Sequence, residues 1–181
     1  MPLLTRQRGF TLIEILVVIV ILGVLAAVAV FSLGDSSQRR ELERQTRDLF
    51  IVLQVASERA LLDNAEIGVK VEDNRISFLR YQPEDQTWLA QLQKPFSART
   101  WDEGLTVEVE TETDPPRMPT KEEDEEEAQP DLVFFSSGEM TPFRLRLGVV
   151  EDPDHSYRIE TDGLNPMRLL EPDEESEVRL E

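Results

Sequence analysis

The sequence predicts an α+β chain in which one long N-terminal helix, transmembrane first and amphipathic after, packs on an antiparallel β-sandwich head. Three observations carry this. Phe10 to Leu33 is an unbroken apolar run whose only charge is Glu14. Between Leu42 and Leu61, apolar and small residues recur at helical spacing. Beyond Asn64 the chain breaks into short segments, several alternating apolar with polar side chains, as strands with one wet face do. A length of 181 residues fits one domain with an appendage.

Composition narrows the function. With 37 acidic and 19 basic residues the net charge is -18, which repels a phosphate backbone and argues against nucleic-acid binding. The chain has no cysteine and one histidine, so disulfides, thiolate nucleophiles, cysteine-ligated zinc and multi-histidine sites are excluded. Ser136-Ser137-Gly138 is not a nucleophile elbow and reads as a turn. His155 beside Asp154 has no identifiable nucleophile and reads as a surface residue, and Trp88 and Trp101 read as packing residues. No enzyme activity, cofactor or metal is expected.

The N-terminal run would form a helix about 36 Å long, enough to cross a hydrocarbon layer of roughly 30 Å. Arg6 and Arg8 precede it and no acid lies among the first nine residues, which puts the N-terminus in the cytoplasm. A cleaved signal peptide competes, with Ala27-Val28-Ala29 as its processing triplet, but the run is long for one and carries an acid near its start. A plain anchor leaves Glu14 unexplained, at about 2.5–3.5 kcal/mol if it sat at the bilayer centre.

The residues Arg6-Gln7-Arg8-Gly9-Phe10-Thr11-Leu12-Ile13-Glu14 resemble the type IV prepilin signature: a short basic leader ending in Gly, then Phe, then Glu at the fifth position after the Gly. The resemblance implies that a prepilin peptidase cuts between Gly9 and Phe10 and methylates the new Phe10 terminus. It also implies that Glu14 pairs with the terminal amine of a neighbouring subunit during assembly. The divisions that follow are a leader over 1–9, a transmembrane and assembly helix over 10–33, an amphipathic helix over 34–63 and a β-sandwich domain over 64–181. Gly23 is either a weak point in the first helix or a close-packing position.

For the amphipathic helix, Ser36 or Ser37 is the expected cap and Asp63-Asn64 the exit. Leu42, Thr46, Leu49, Phe50, Leu53, Ala56, Ala60 and Leu61 form its covered face. A dimeric coiled coil could cover that stripe, but about three heptads followed by strand-like segments favour docking on a sheet. Ile67 to Val71 and Arg75 to Gln82 form a hairpin about Glu72-Asp73-Asn74. Leu105, Val107 and Val109 face one way from a strand, Phe143 to Leu147 repeats that pattern, and Leu132 to Phe135 suits a strand buried on both faces. Tyr157 to Thr161 is a further strand before the hairpin signal Asp162-Gly163.

Thr113 to Pro130, with four prolines and seven acids, reads as a solvated acidic loop. Glu122 to Glu127 lacks the glycine turn and alternating ligands of an ordered calcium loop. Glu151, Asp152 and Asp154 beside Pro153 read as a polar turn rather than an oxygen cluster.

The second half selects among prepilin-like families. Val133 to Leu147, VFFSSGEMTPFRLRL, followed by Tyr157-Arg158-Ile159 and Asp162-Gly163-Leu164-Asn165, is similar to the C-terminal pattern of the minor pseudopilin H family of the type II secretion system. Asn165, where glycine is more usual, and the acidic tail from Glu171 to Glu181 depart from it. The resemblance implies a pseudopilin fold and a structural subunit at or near the tip of the pseudopilus that exports folded proteins. Its partners would be the other minor pseudopilins, the major one and the prepilin peptidase, with the chain anchored once in the inner membrane and its head periplasmic. A minor pilin of a type IV pilus or DNA-uptake system is the alternative, and its DNA-binding forms would need a basic patch.

Overall fold

The computed structural model describes residues 11–101, 104–111, 118–119 and 129–174, and within 26–36 the backbone only. The chain divides into two units, Met1–Gln38 and Arg39–Glu181. Helix α1, Leu12–Asp63, contributes residues to both. Residues 36 and 37 are helical, so neither Ser36 nor Ser37 caps a start. No proline interrupts the sequence there, and a glycine such as Gly34 costs a helix only about 1 kcal/mol, too little to stop propagation from ordered flanks.

In the second unit α1 ends by a left-handed cap: Asn64 has φ 48° and the Ala65 N–H donates to the Ala60 carbonyl at 3.1 Å. Leu42, Thr46, Leu49, Leu53, Ala56 and Ala60 are fully buried, at alternating steps of four and three residues. That spacing is also a coiled-coil seam, but here it is filled by strands, as the sheet-docking expectation has it. Thr46 escapes an unmet hydroxyl by donating to the Leu42 carbonyl at 2.8 Å. Leu61 is a correction, since it is 55% exposed: it stands about 100° round the helix from Ala60, on the flank of the buried stripe, while Val52, which the spacing did not single out, is buried.

Among the described residues nine strands make two antiparallel sheets: β1 Ile67–Glu72, β2 Arg75–Gln82, β3 Thr87–Ala90, β4 Arg99–Thr100, β5 Leu105–Thr111, β6 Leu132–Phe134, β7 Phe143–Val149, β8 Asp152–Thr161 and β9 Arg168–Leu170. The first sheet runs β3-β2-β1-β6 with β4 also on β2, and the second runs β5-β7-β8-β9. β1 and β2 close the expected hairpin with Glu72 opposite Arg75, and Asp73 takes φ 48° in the loop. Both sheets turn apolar faces into one core with α1: Val69, Ile76 and Phe78 from the first, and Leu105, Phe143, Leu145, Leu147 and Ile159 from the second. Across the first sheet a smaller cluster of Leu79, Tyr81, Trp88 and Val133 explains why β6 is buried on both faces.

Several local readings change. β3, β4 and β9 are too short to announce themselves by alternation. β8 starts at Asp152, so the polar turn is confined to Val150 and Glu151, while Asp152 and Asp154 belong to a strand. The register slips there, with Gly148 opposite Ser156 and Val149 opposite Asp152, which leaves Pro153, Asp154 and His155 as the irregular stretch. The acidic segment is not solvated throughout: Met118 packs against the smaller cluster and the Pro119 carbonyl accepts the Tyr81 hydroxyl at 2.6 Å. Glu122 to Glu127 lies outside the described residues.

Candidate functional site

Of the three residues singled out for processing and assembly, Gly9 and Phe10 lie outside the described residues, and Glu14 stands in the first turn of α1. Thr11 precedes that turn. The Glu14 N–H donates to Thr11 Oγ1 at 3.3 Å, and the Thr11 N–H donates to Glu14 Oε2 at 3.5 Å. This reciprocal pair is a capping box, which satisfies two helix-start donors and sets a negative charge against the positive end of the helix dipole. Thr11 is the first member of a T-x-x-E pattern, the local sequence signal of this cap. Among the described residues Glu14 makes no ion pair within its own chain.

The helix that follows has no cover of its own. Every Leu, Ile and Val from Leu12 to Leu25 is between 46% and 85% exposed. A helix that is apolar all round needs a membrane or other helices about it. Among the described residues no helix is long and apolar enough to cross a membrane. In the sequence, however, the apolar run continues to Leu33.

A second constellation ties the end of the head together. After β6, Ser136 and Ser137 form a turn in which the Gly138 N–H donates to the Phe135 carbonyl at 3.0 Å. The Met140 N–H donates to the Gly163 carbonyl at 2.9 Å, and Thr141 Oγ1 accepts the Val133 N–H at 3.0 Å. Asp162 accepts the Asn165 backbone N–H at 2.7 Å, the Asn165 side-chain amide at 2.7 Å and the Leu164 N–H at 3.0 Å, which together hold its carboxyl below the usual range. Gly163 has φ 87°, and a Cβ there would stand 2.5 Å from the Met140 carbonyl oxygen. The Asp-Gly-Leu ending is thus a lock between β8 and the β6–β7 connection. It closes a six-residue link to β9 rather than the tight two-residue hairpin that Asp-Gly suggests.

His155 is half-buried with its ring edge-on to Tyr157, centroids 6.0 Å apart. Trp88 and Trp101 are buried, as packing residues are. Among the described residues no three His, Cys, Asp or Glu side chains are grouped to hold a metal ion.

Comparison with known proteins follows the same division. Residues 4–30 match the prokaryotic N-terminal methylation motif, and residues 45–164 match the family described as Type II transport protein GspH. Type II secretion system protein H of Pseudomonas aeruginosa is 35% identical over 168 residues, covering 90% of this chain and 95% of that protein. Its counterpart in Aeromonas hydrophila is 32% identical over 187 residues, covering 95% and 98%. The crystal structure of the minor pseudopilin EpsH from the type II secretion system of Vibrio cholerae matches with a TM-score of 0.61 at 27% identity, over 76% of this chain and 99% of that one. Type II secretion system core protein G of Klebsiella pneumoniae is 47% identical, but only over 60 residues, 33% of this chain and 42% of that protein. The N-terminal third is therefore common property of a wider class, while the head is specific and disfavours the type IV pilin alternative. On the head and the methylation motif together, the chain belongs to the GspH family of type II transport proteins, the structural minor pseudopilins of type II secretion.

Proposed function

We propose that the chain is a structural subunit at or near the tip of the type II secretion pseudopilus, the filament that drives folded proteins across the outer membrane. It is made as a precursor, cut between Gly9 and Phe10 by the prepilin peptidase and methylated on Phe10. It is held once in the inner membrane with its N-terminus cytoplasmic and its head periplasmic, and it packs among the other minor pseudopilins and the major one. The observation that carries this reading is the uncovered apolar helix from Leu12 to Leu25, capped by an acid that pairs with no cation among the described residues. In a bundle of such helices the new Phe10 amine of a neighbour supplies that cation, and the low-dielectric surroundings strengthen the pair while making a lone carboxylate costly.

The test is capture of the tagged full-length protein from crosslinked, detergent-solubilised envelopes of its native host, with mass spectrometry of partners and N-terminus. Other type II pseudopilins together with a methylated Phe10 are expected. Recovery of type IV pilins would redirect the pathway, and an unlinked protein beginning at Val30 would make Glu14 a signal-peptide residue.

A further inference from the structure

Two neighbouring clefts lie on the second unit, along one flank of α1. A cavity of about 240 Å³ lies between Arg59 and Asp63 of the helix and the segment Lys94–Phe96. Another of about 290 Å³ lies between Arg44 and Asp48 of the helix and Arg99–Trp101. Helix positions 44, 48, 55, 59 and 63 fall on the same side of α1 by their spacing. The Arg99 guanidinium reaches the Pro95 carbonyl at 3.5 Å across the divide, so the two clefts share a wall.

The charge of this groove opposes that of the chain. Among the described residues Arg44, Arg59, Arg80, Lys94 and Arg99 line it against only Asp48 and Asp63, in a protein of net charge -18. Asp63 is shared, accepting Arg59 at 2.9 Å and Arg80 at 3.4 Å, while Arg44 is held by Glu41 and by Asp48. Lys94 and Arg99 have no carboxylate partner among the described residues, and Lys94 is exposed. Two surplus cations therefore flank a floor that Val55 and Phe96 make apolar. Each cavity is smaller than the roughly 300–1,000 Å³ of small-molecule sites, a size that fits side chains of a docked segment rather than an enclosed ligand.

We propose that this groove receives an acidic segment of a neighbouring subunit, with Asp or Glu carboxylates seated against Lys94 and Arg99. The proposal rests on the subunit reading above. Heads this negative repel one another at range, and a local cationic groove is where an acidic neighbour can close without like-charge contact and with its register fixed. The same global charge disfavours a polyanionic nucleic acid as the occupant.

The test uses the full-length chain in its native host, with a photo-crosslinking amino acid at Gln93 and, separately, at Val18. The Gln93 adduct is expected on an Asp- or Glu-bearing peptide of another pseudopilin. It should fall about tenfold when Lys94→Glu and Arg99→Glu are combined, the change that a loss of about 1.4 kcal/mol in affinity gives. It should persist with Lys94→Arg and Arg99→Lys. Limited proteolysis of each variant checks that the head is folded, and the neutral pair Lys94→Gln and Arg99→Gln replaces the reversal if that fails. An adduct to this chain's own acidic segment 113–130 or tail, or one indifferent to charge, overturns the proposal. Pseudopilin adducts from Val18 with none from Gln93 overturn the groove and leave the subunit reading standing. Absence of both removes the subunit reading and the groove with it.

Discussion

The two halves of α1 are both apolar, but they are apolar for different neighbours. From Leu12 to Leu25 the side chains are exposed on all sides. From Leu42 to Ala60 apolarity narrows to one stripe that is fully buried, and the opposite side carries ion pairs such as Arg47–Glu43 at 3.1 Å. A stripe can be satisfied by the chain's own sheets. An all-round apolar surface cannot, and its cover must come from lipid or from other copies of the same kind of helix. One helix thus meets its own chain's sheets at one end and needs a cover from outside the chain at the other.

The sharpest way to break this contrast is to cut equal amounts of apolar surface from each half. Leu49→Ala, at a fully buried position, should destabilise the head by about 2–5 kcal/mol in urea unfolding of the detergent-solubilised protein. Ile19→Ala should move that transition by less than about 0.5 kcal/mol while reducing co-capture with pseudopilins. Equal effects on the head would erase the distinction. Next in size is Gly163→Ala, which must hold alanine at φ 87° against the Met140 carbonyl. A cost of about 1–3 kcal/mol from the strained backbone alone is expected, read as a lower melting temperature of the head. Thr11→Ala removes one arm of the capping box and should cost about 1 kcal/mol of helix-start stability, seen as faster amide exchange in the first turn with the head unchanged.

The smallest effect is electrostatic. Hydrogen bonds from Arg44, and then Gln45, lower the exposed Glu41 carboxyl from its ordinary 4.5 to about 2. Because the folded value is the depressed one, any support it lends is present above pH 4.5 and disappears as pH falls towards 2. Arg44→Ala should bring the Glu41 titration, followed by carboxyl carbon NMR, back towards 4.5. An unmoved titration would remove Arg44 as the cause.

How much was legible depends on the range of the interaction. The covered stripe of α1 and the alternation of Leu105, Val107 and Val109 could be read directly, because burial imposes a fixed period on neighbouring residues. The Thr11–Glu14 cap is equally local, a T-x-x-E pattern at the start of the apolar run. β3, β4 and β9 offered too few residues for any period to appear, and β8 hid its first half behind Pro153 and three polar neighbours. Leu61 stands next to Ala60 in the last turn, and the 100° between neighbours carries it off the stripe that buries Ala60, a flank position whose exposure depends on how wide the cover is. The cationic groove was beyond reach, since Arg44, Arg80 and Lys94 meet only through the packing of helix, sheet and loop. The Gly163 lock was visible as a motif, though its partner, the Met140 carbonyl, is remote in sequence.

The most direct test of the division of labour along α1 is the incorporation of Glu14→Ala into the native assembly, measured by crosslinking in envelopes alongside the unfolding transition of its head. The account predicts an unchanged head, continued membrane insertion and incorporation reduced to background, because the proposed pairing of Glu14 with a neighbour's Phe10 amine is lost. Normal incorporation of the variant would contradict it.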